Sequence, residues 1–266
     1  MLRRPALACL LLIGAVTLPA AASASPRQVL LYDPDANLSD IVEIAAAFSR
    51  YLQRTGENWT FQAVQRRDTF EALLKEPGSE YAIVSAAYLR TAAEANMTPL
   101  LVPADHGDVY YRKQLVTAAK VDARALSGRN IAVSGAGDER SAETQAVLAD
   151  LARAGVAKPL LVSLPKDIDA LMALYFGQVD AALVVPHSIE VMRRISPKAV
   201  ASLEVLHETR KMLRSPLCVV GKISGDKQKE PLVQYLQGMA ADPDGKEIMR
   251  RMAFDAWMPF QSDMLR

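Results

Sequence analysis

The chain has 266 residues, half of them hydrophobic, and carries 31 Lys and Arg against 30 Asp and Glu. So even a charge balance argues against a nucleic-acid partner, which a strongly basic chain would favour. Two cysteines are too few for a disulfide-stapled scaffold, and the length suits two units of about a hundred residues each.

Arg3 and Arg4 precede an apolar run from Ala6 to Leu18 and the small residues Ala22-Ser23-Ala24. Positive, apolar and small segments in that order define a secretory signal peptide, so residues 1–24 are read as a leader cleaved near Ala24. Removing it leaves 242 residues, a net charge of −1 and Cys218 as the sole thiol. The paired arginines leave the general and twin-arginine routes both open. No later run reaches the ~20 apolar residues of a membrane-spanning helix.

Val29-Leu30-Leu31-Tyr32 reads as a strand stopped by Asp33-Pro34-Asp35. A helix follows, with Ile44, Ala45, Phe48, Tyr51 and Leu52 at helical spacing until Thr55-Gly56 ends it. Trp59 to Val64 alternates as a second strand. Thr69 to Val84 then runs through an apolar helical stripe, Gly78, Glu80 and the strand Ala82-Ile83-Val84. The same design recurs from Ile168 to Val185, where Leu171, Met172 and Leu174 lead to Gly177, Asp180 and the strand Ala181 to Val185. Helix followed promptly by a buried strand marks a parallel sheet, and finding it twice points to two α/β lobes with a cleft between them.

Val109 to Ala119 reads as one long extended strand crossing to the second lobe. There, Ile131-Ala132-Val133 leads through Ser134-Gly135-Ala136-Gly137 into a helix ending at Gly155, and Leu160 to Leu164 is the next strand. Ser202 to Val220, strand, charged loop and strand, is the candidate return crossing. Pro231 to Met252 is helical in pattern, with a break at Pro243-Asp244-Gly245.

In open α/β sheets, ligands sit beyond the carboxyl ends of strands, where helix N-termini expose unpaired N–H groups. The loops 33–37, 65–68, 85–88, 134–141, 165–167 and 186–188 qualify, which makes Arg66, Ser85, Tyr88, Ser134 and His187 candidate ligand contacts. Arg66 also reads as a surface charge, Tyr88 as core, and His187 as structural. His106, His187 and His207 lack metal-ligand spacing, so no metal or other cofactor is expected. No Gly-x-Ser-x-Gly elbow, phosphate loop or nucleophile–base set is present, which argues against an enzyme. Cys218, within an apolar strand, reads as a buried structural thiol.

The segments Asp108-Val109-Tyr110-Tyr111, Ala125 to Val133, Gly177-Gln178-Val179-Asp180-Ala181-Ala182 and Met252 to Phe260 resemble, in their order and spacing, the phosphate/phosphonate (PhnD-like) family of ABC-transporter substrate-binding proteins. The resemblance covers nearly the whole mature chain. It implies a type II periplasmic-binding fold: two Rossmann-like α/β lobes joined by two crossing strands, closing on a small anionic or polar ligand, such as a phosphate- or phosphonate-like oxyanion. Lobe 1 would comprise residues 25–115 and 210–266, and lobe 2 residues 116–209. It also implies a periplasmic protein, here read as a monomer, that delivers its ligand to an ABC permease. The alternative is a protein that reports the ligand to a membrane sensor or serves an exported redox system. Carried over residue by residue, the family pattern marks Ser134 and Ser141 at a helix start, Lys166 where relatives place a histidine, and Tyr111 near the cleft. The chain departs at Gly137-Asp138-Glu139-Arg140-Ser141, where relatives carry a run of Ser and Thr. Asp138 and Glu139 suit helix capping, and Arg140 is the residue that could restore a positive site.

Overall fold

The structure, a computed structural model, describes residues 27–33, 38–91, 96–134, 142–221 and 231–265. The first part of the chain runs β1 (Arg27–Tyr32), α1 (Leu38–Gln53), β2 (Trp59–Val64), α2 (Arg67–Leu73), β3 (Ser79–Ile83), α3 (Ala86–Thr91) and β4 (Met97–Ala104). A two-residue strand β5 (Tyr110–Tyr111) leads to β6 (Gln114–Thr117), β7 (Asn130–Ser134), α4 (Ala142–Arg153), β8 (Leu160–Leu164), α5 (Asp167–Tyr175), β9 (Ala181–Val184), α6 (Pro186–Ile195), α7 (Pro197–Val200) and β10 (Glu204–Glu208). The return passes through β11 (Met212–Leu213) to β12 (Leu217–Val220), α8 (Pro231–Gln237), α9 (Pro243–Arg251) and β13 (Ala256–Pro259).

The strands form two large sheets, ordered β2-β1-β3-β12-β4-β13 and β8-β7-β9-β6-β10. In each, three parallel strands are followed by one antiparallel strand and then another strand parallel to the first three. This central antiparallel member is the strand that has just crossed over: β6 follows β5, and β12 follows β11; the edge strand β13 adds a second antiparallel member to the first sheet. The crossing strands pair with each other, Met212 opposite Tyr111 and Leu213 opposite Tyr110. The single strand expected from Val109 to Ala119 is therefore two, because its halves hydrogen-bond to different partners. Between them, the Lys113 N–H donates to Thr209 Oγ1 and the Thr209 N–H to the Lys113 carbonyl, both at 2.8 Å.

The buried stretch of each central strand, such as Val29 to Tyr32 or Ile131 to Val133, is a continuous apolar run because both its faces are covered. From β1, Val29 and Leu31 pack with Phe48 and Leu52 of α1 and Ile248 of α9, while Leu30 and Tyr32 meet Phe70 of α2 and Tyr88 of α3. In the second sheet, Ile131 and Val133 face Val147 and Leu151 of α4, and Ala132 faces Leu171 and Leu174 of α5. Burying one such aliphatic or aromatic side chain is worth roughly 1.5–3 kcal/mol.

The duplicated design has a structural counterpart. Gly78 and Gly177 have φ of +99° and +68°, a region glycine enters without a Cβ penalty. The acid two or three residues on then ties its strand to the neighbouring parallel strand of the same sheet, β1 or β7. Glu80 takes both Nε and Nη2 of Arg27, at 2.8 and 2.7 Å, and Asp180 accepts the Asn130 N–H at 3.0 Å. The expected break at Pro243-Asp244-Gly245 is the start of α9, where the Asp242 carboxylate accepts the N–H groups of Asp244 and Gly245.

Candidate functional site

The carboxyl ends of the parallel strands in both sheets point toward the crossing strands, and α3 of the first lobe touches α4 of the second. Beside the crossing strands lies a cavity of about 900 Å³. The first lobe supplies Asp105, His106, Lys246, Met249 and Phe254. The crossings supply Tyr110, Tyr111, Arg112, Lys211 and Arg214, and the second lobe supplies Val185 to Ser188 and Glu208.

Cations and carboxylates meet where the crossings pair, with Arg112, Lys211, Arg214 and Lys246 beside Asp105, Asp108, Glu208 and Asp255. Arg112 pairs with Glu208 at 2.5 Å, and this hydrogen bond, with a second from Gln114, holds the Glu208 carboxyl below its usual range. Arg214 Nη1 donates to the Ala253 carbonyl at 2.7 Å and Nη2 meets Asp105 at 3.3 Å, while its Nε has no hydrogen-bond partner among the described residues. Lys211 sits 5.6 Å from the centre of the Tyr110 ring. Lys246 enters no ion pair among the described residues. His106 stands at the rim, 92 % exposed, with one ring nitrogen 3.5 Å from Asp255 and the other 3.9 Å from Asp105. The three residues form a small cluster that could hold a cation or, with the imidazole protonated, pair internally.

Behind the lobe 2 wall, one carboxylate collects three donors. Asp167 accepts the Ser134 hydroxyl, the Val185 N–H at 2.7 Å and the Ser188 hydroxyl at 3.1 Å. Lys113 Nζ donates to the Ser134 carbonyl at 2.9 Å. The starts of the loops after β7, β8 and β9 are thus fixed to one another.

Of the residues marked from sequence, Tyr111 and His187 line the cavity, and Ser134 reaches it through Asp167 and Ser188. Ser85 caps α3, its hydroxyl accepting the Tyr88 N–H at 2.9 Å. The Tyr88 ring, 2 % exposed, packs against Tyr32 and Phe70 in the first lobe's core, and burial together with nearby Glu71 pushes its hydroxyl up to about 12. Arg66 precedes α2 in solvent and hydrogen-bonds Asp68, whose carboxyl it holds well below the usual range. Lys166, also exposed, occupies the N-cap position of α5. Arg140 and Ser141 lie outside the described residues. Sequence reasoning missed Arg112, Lys113, Asp167, Lys211, Arg214 and Lys246. Asp167 and Ser188 stand in loops that had been singled out, but the cations carry no motif and converge only in the fold.

Two lobes of matching topology, two paired crossings and a cavity beside them define a type II periplasmic binding protein. The sequence profile of the family described as "ABC transporter, phosphonate, periplasmic substrate-binding protein" matches residues 30–265, and the chain belongs to that family. Comparison with curated protein sequences gives no match. Among solved structures, the chain is similar to a binding-protein component of an ABC phosphonate transporter from Pseudomonas aeruginosa, at 16% identity over 90% of this chain and 83% of that one, with a TM-score of 0.62. It is also similar to PhnD1 from Prochlorococcus marinus in complex with methylphosphonate, at 12% identity, 91% and 96% coverage and a TM-score of 0.66. A Xanthomonas citri protein bound to ATP aligns at 14% identity, 90% and 93% coverage and a TM-score of 0.62. The family is one of importer components, which favours delivery to an ABC permease over the sensor alternative.

Proposed function

We propose that the cavity beside the crossings takes a small phosphonate-like oxyanion, held by Arg214, Lys211 and Lys246, with Tyr111, His187 and Ser188 as its walls. Arg140 and Ser141, which lie outside the described residues, are further contacts on this reading. The observation that carries this reading is that Lys211, Lys246 and Arg214 line one cavity beside the crossings, and neither Lys211 nor Lys246 enters an ion pair among the described residues. The methylphosphonate held by the Prochlorococcus relative supports the same class of ligand.

Ligand capture moves residues 25–115 and 210–266 against residues 116–209, with the Tyr110–Tyr111 and Met212–Leu213 pair as hinge. The protein releases its ligand unchanged to the permease. It works as a periplasmic monomer whose leader is cleaved near Ala24.

The test is calorimetric titration and thermal denaturation of the mature protein with methylphosphonate, phosphate and phosphite. A ligand at a hundred times its dissociation constant adds roughly 2.7 kcal/mol of stability, and Lys246→Met weakens that ligand. Absence of heat and of any melting shift with all three would remove the oxyanion reading.

A further inference from the structure

Exposed apolar side chains are unevenly distributed over the molecule. Of eight large hydrophobic residues with high exposure among the described residues, six belong to the second lobe: Val121, Leu160, Tyr175, Phe176, Ile195 and Val205. Topology places all six at the same end. Leu160 opens β8, Tyr175 and Phe176 close α5, Ile195 closes α6, Val205 lies at the start of β10, and Val121 follows the end of antiparallel β6. This is the amino-terminal end of the parallel strands, opposite the edge that faces the cavity.

Backbone bonds make this end a continuous surface. The Leu160 N–H donates to the Arg129 carbonyl at 2.9 Å, the Gly128 N–H to the Ala157 carbonyl at 3.0 Å, and the Asp180 N–H to the Asn130 carbonyl at 2.9 Å. Its charge is positive. Arg129, Lys158, Arg194 and Lys198 are exposed there, and none enters an ion pair among the described residues. Three acids share this end, Asp122 accepting the Arg124 N–H, Asp180 accepting the Asn130 N–H and exposed Glu204 at the start of β10, and they are outnumbered by these four cations together with exposed Lys120 and Arg124. Single apolar residues interspersed with unpaired cations match the boundary of an anionic bilayer, where aromatic and aliphatic tips enter the headgroup layer and Lys and Arg meet lipid phosphates. A protein partner would instead favour a contiguous apolar centre with a polar rim.

We infer that the distal end of the second lobe is a docking surface for the anionic surface of a lipid bilayer. Docked this way, the protein keeps its ligand cavity directed away from the headgroups and diffuses along the membrane toward its transporter.

The experiment is co-sedimentation of the mature protein with phosphatidylcholine vesicles, with and without phosphatidylglycerol, at low and high salt. Sedimentation should require phosphatidylglycerol and fall with salt. Arg194→Gln and Lys158→Gln should each lower the partition coefficient about fivefold, and Phe176→Ser should lower it at every salt concentration. Thermal melting of the variants, all substituted at exposed positions, confirms that they are folded. Absent or lipid-independent sedimentation, or full binding by the variants, overturns the assignment. So does capture of the protein by purified permease in detergent through these residues while vesicles fail to bind it.

Discussion

The hydroxyl of Ser134, at the end of β7, donates to the carboxylate of Asp167, at the start of α5. Because Asp167 also accepts from Val185 and Ser188, three loops of the second lobe share one anchor at the edge facing the cavity. The lobe 2 wall is therefore preorganised before any ligand arrives, which lowers the ordering cost of binding.

Asp167→Ala removes an acceptor from three donors at once. Stability should fall by about 1–3 kcal/mol in urea denaturation, and Ser134→Ala, which removes a single hydrogen bond, should cost about 0.5–1.5 kcal/mol. An Asp167→Ala protein as stable as the parent would mean that the carboxylate does not hold the loops.

Tyr111 lines the cavity on a crossing strand and is only half-buried. Tyr111→Ala should weaken an oxyanion ligand about tenfold, or ~1.4 kcal/mol, with little change in melting temperature. Calorimetric titration measures the first and thermal denaturation the second; unchanged affinity removes Tyr111 from the site.

Gly245 and Gly238 separate close approach from open space. A Cβ on Gly245 would lie 2.4 Å from the Met239 carbonyl oxygen, whereas one on Gly238 meets nothing within 4 Å. Gly245→Ala should destabilise by about 1–3 kcal/mol through forced backbone movement. Gly238→Ala should stay within about 0.5 kcal/mol of the parent. Equal midpoints in denaturant would contradict the packing of α9 against that turn.

Hydrogen bonds from Arg250 and Arg251 lower Glu247 from the ordinary 4.5 to about 2. A depressed carboxyl stabilises the fold above its unfolded value and loses that contribution as pH falls through its folded value. Melting temperature should therefore decline between pH 4.5 and about 2, and Glu247→Gln should flatten that part of the profile. Because Glu247 is exposed, the effect should be small and salt-sensitive.

Cys218 is fully buried between β3 and β4, and burial pushes its thiol well above the usual range. A thiol reagent should modify it only on unfolding. Prompt reaction in native buffer would show that this part of the sheet opens.

The repeated run of helix, glycine, acid and strand was legible because it depends on neighbours in sequence, and Gly78 with Glu80 matches Gly177 with Asp180 in the fold. The orientation of Tyr88 was not. Its place one turn after a strand end is compatible with cavity or core, and only its packing on Tyr32 and Phe70 decides for core. Nor could spacing show that Asp255 lies against His106, 149 residues earlier. Net charge concealed the basic end of the second lobe, since a sum over the chain carries no positions.

By itself, the sequence determined the two α/β lobes, because periodicity, glycine turns and buried strands are local properties of the chain, while the class of protein came from the resemblance of ordered segments to a known family. The tertiary structure alone decided which side chains meet. Arg112, the neighbours Lys211 and Arg214, and Lys246 come from three segments and gather around one cavity only after both sheets are built, and electrostatic and hydrogen-bonding energies depend on that distance in space rather than on separation along the chain.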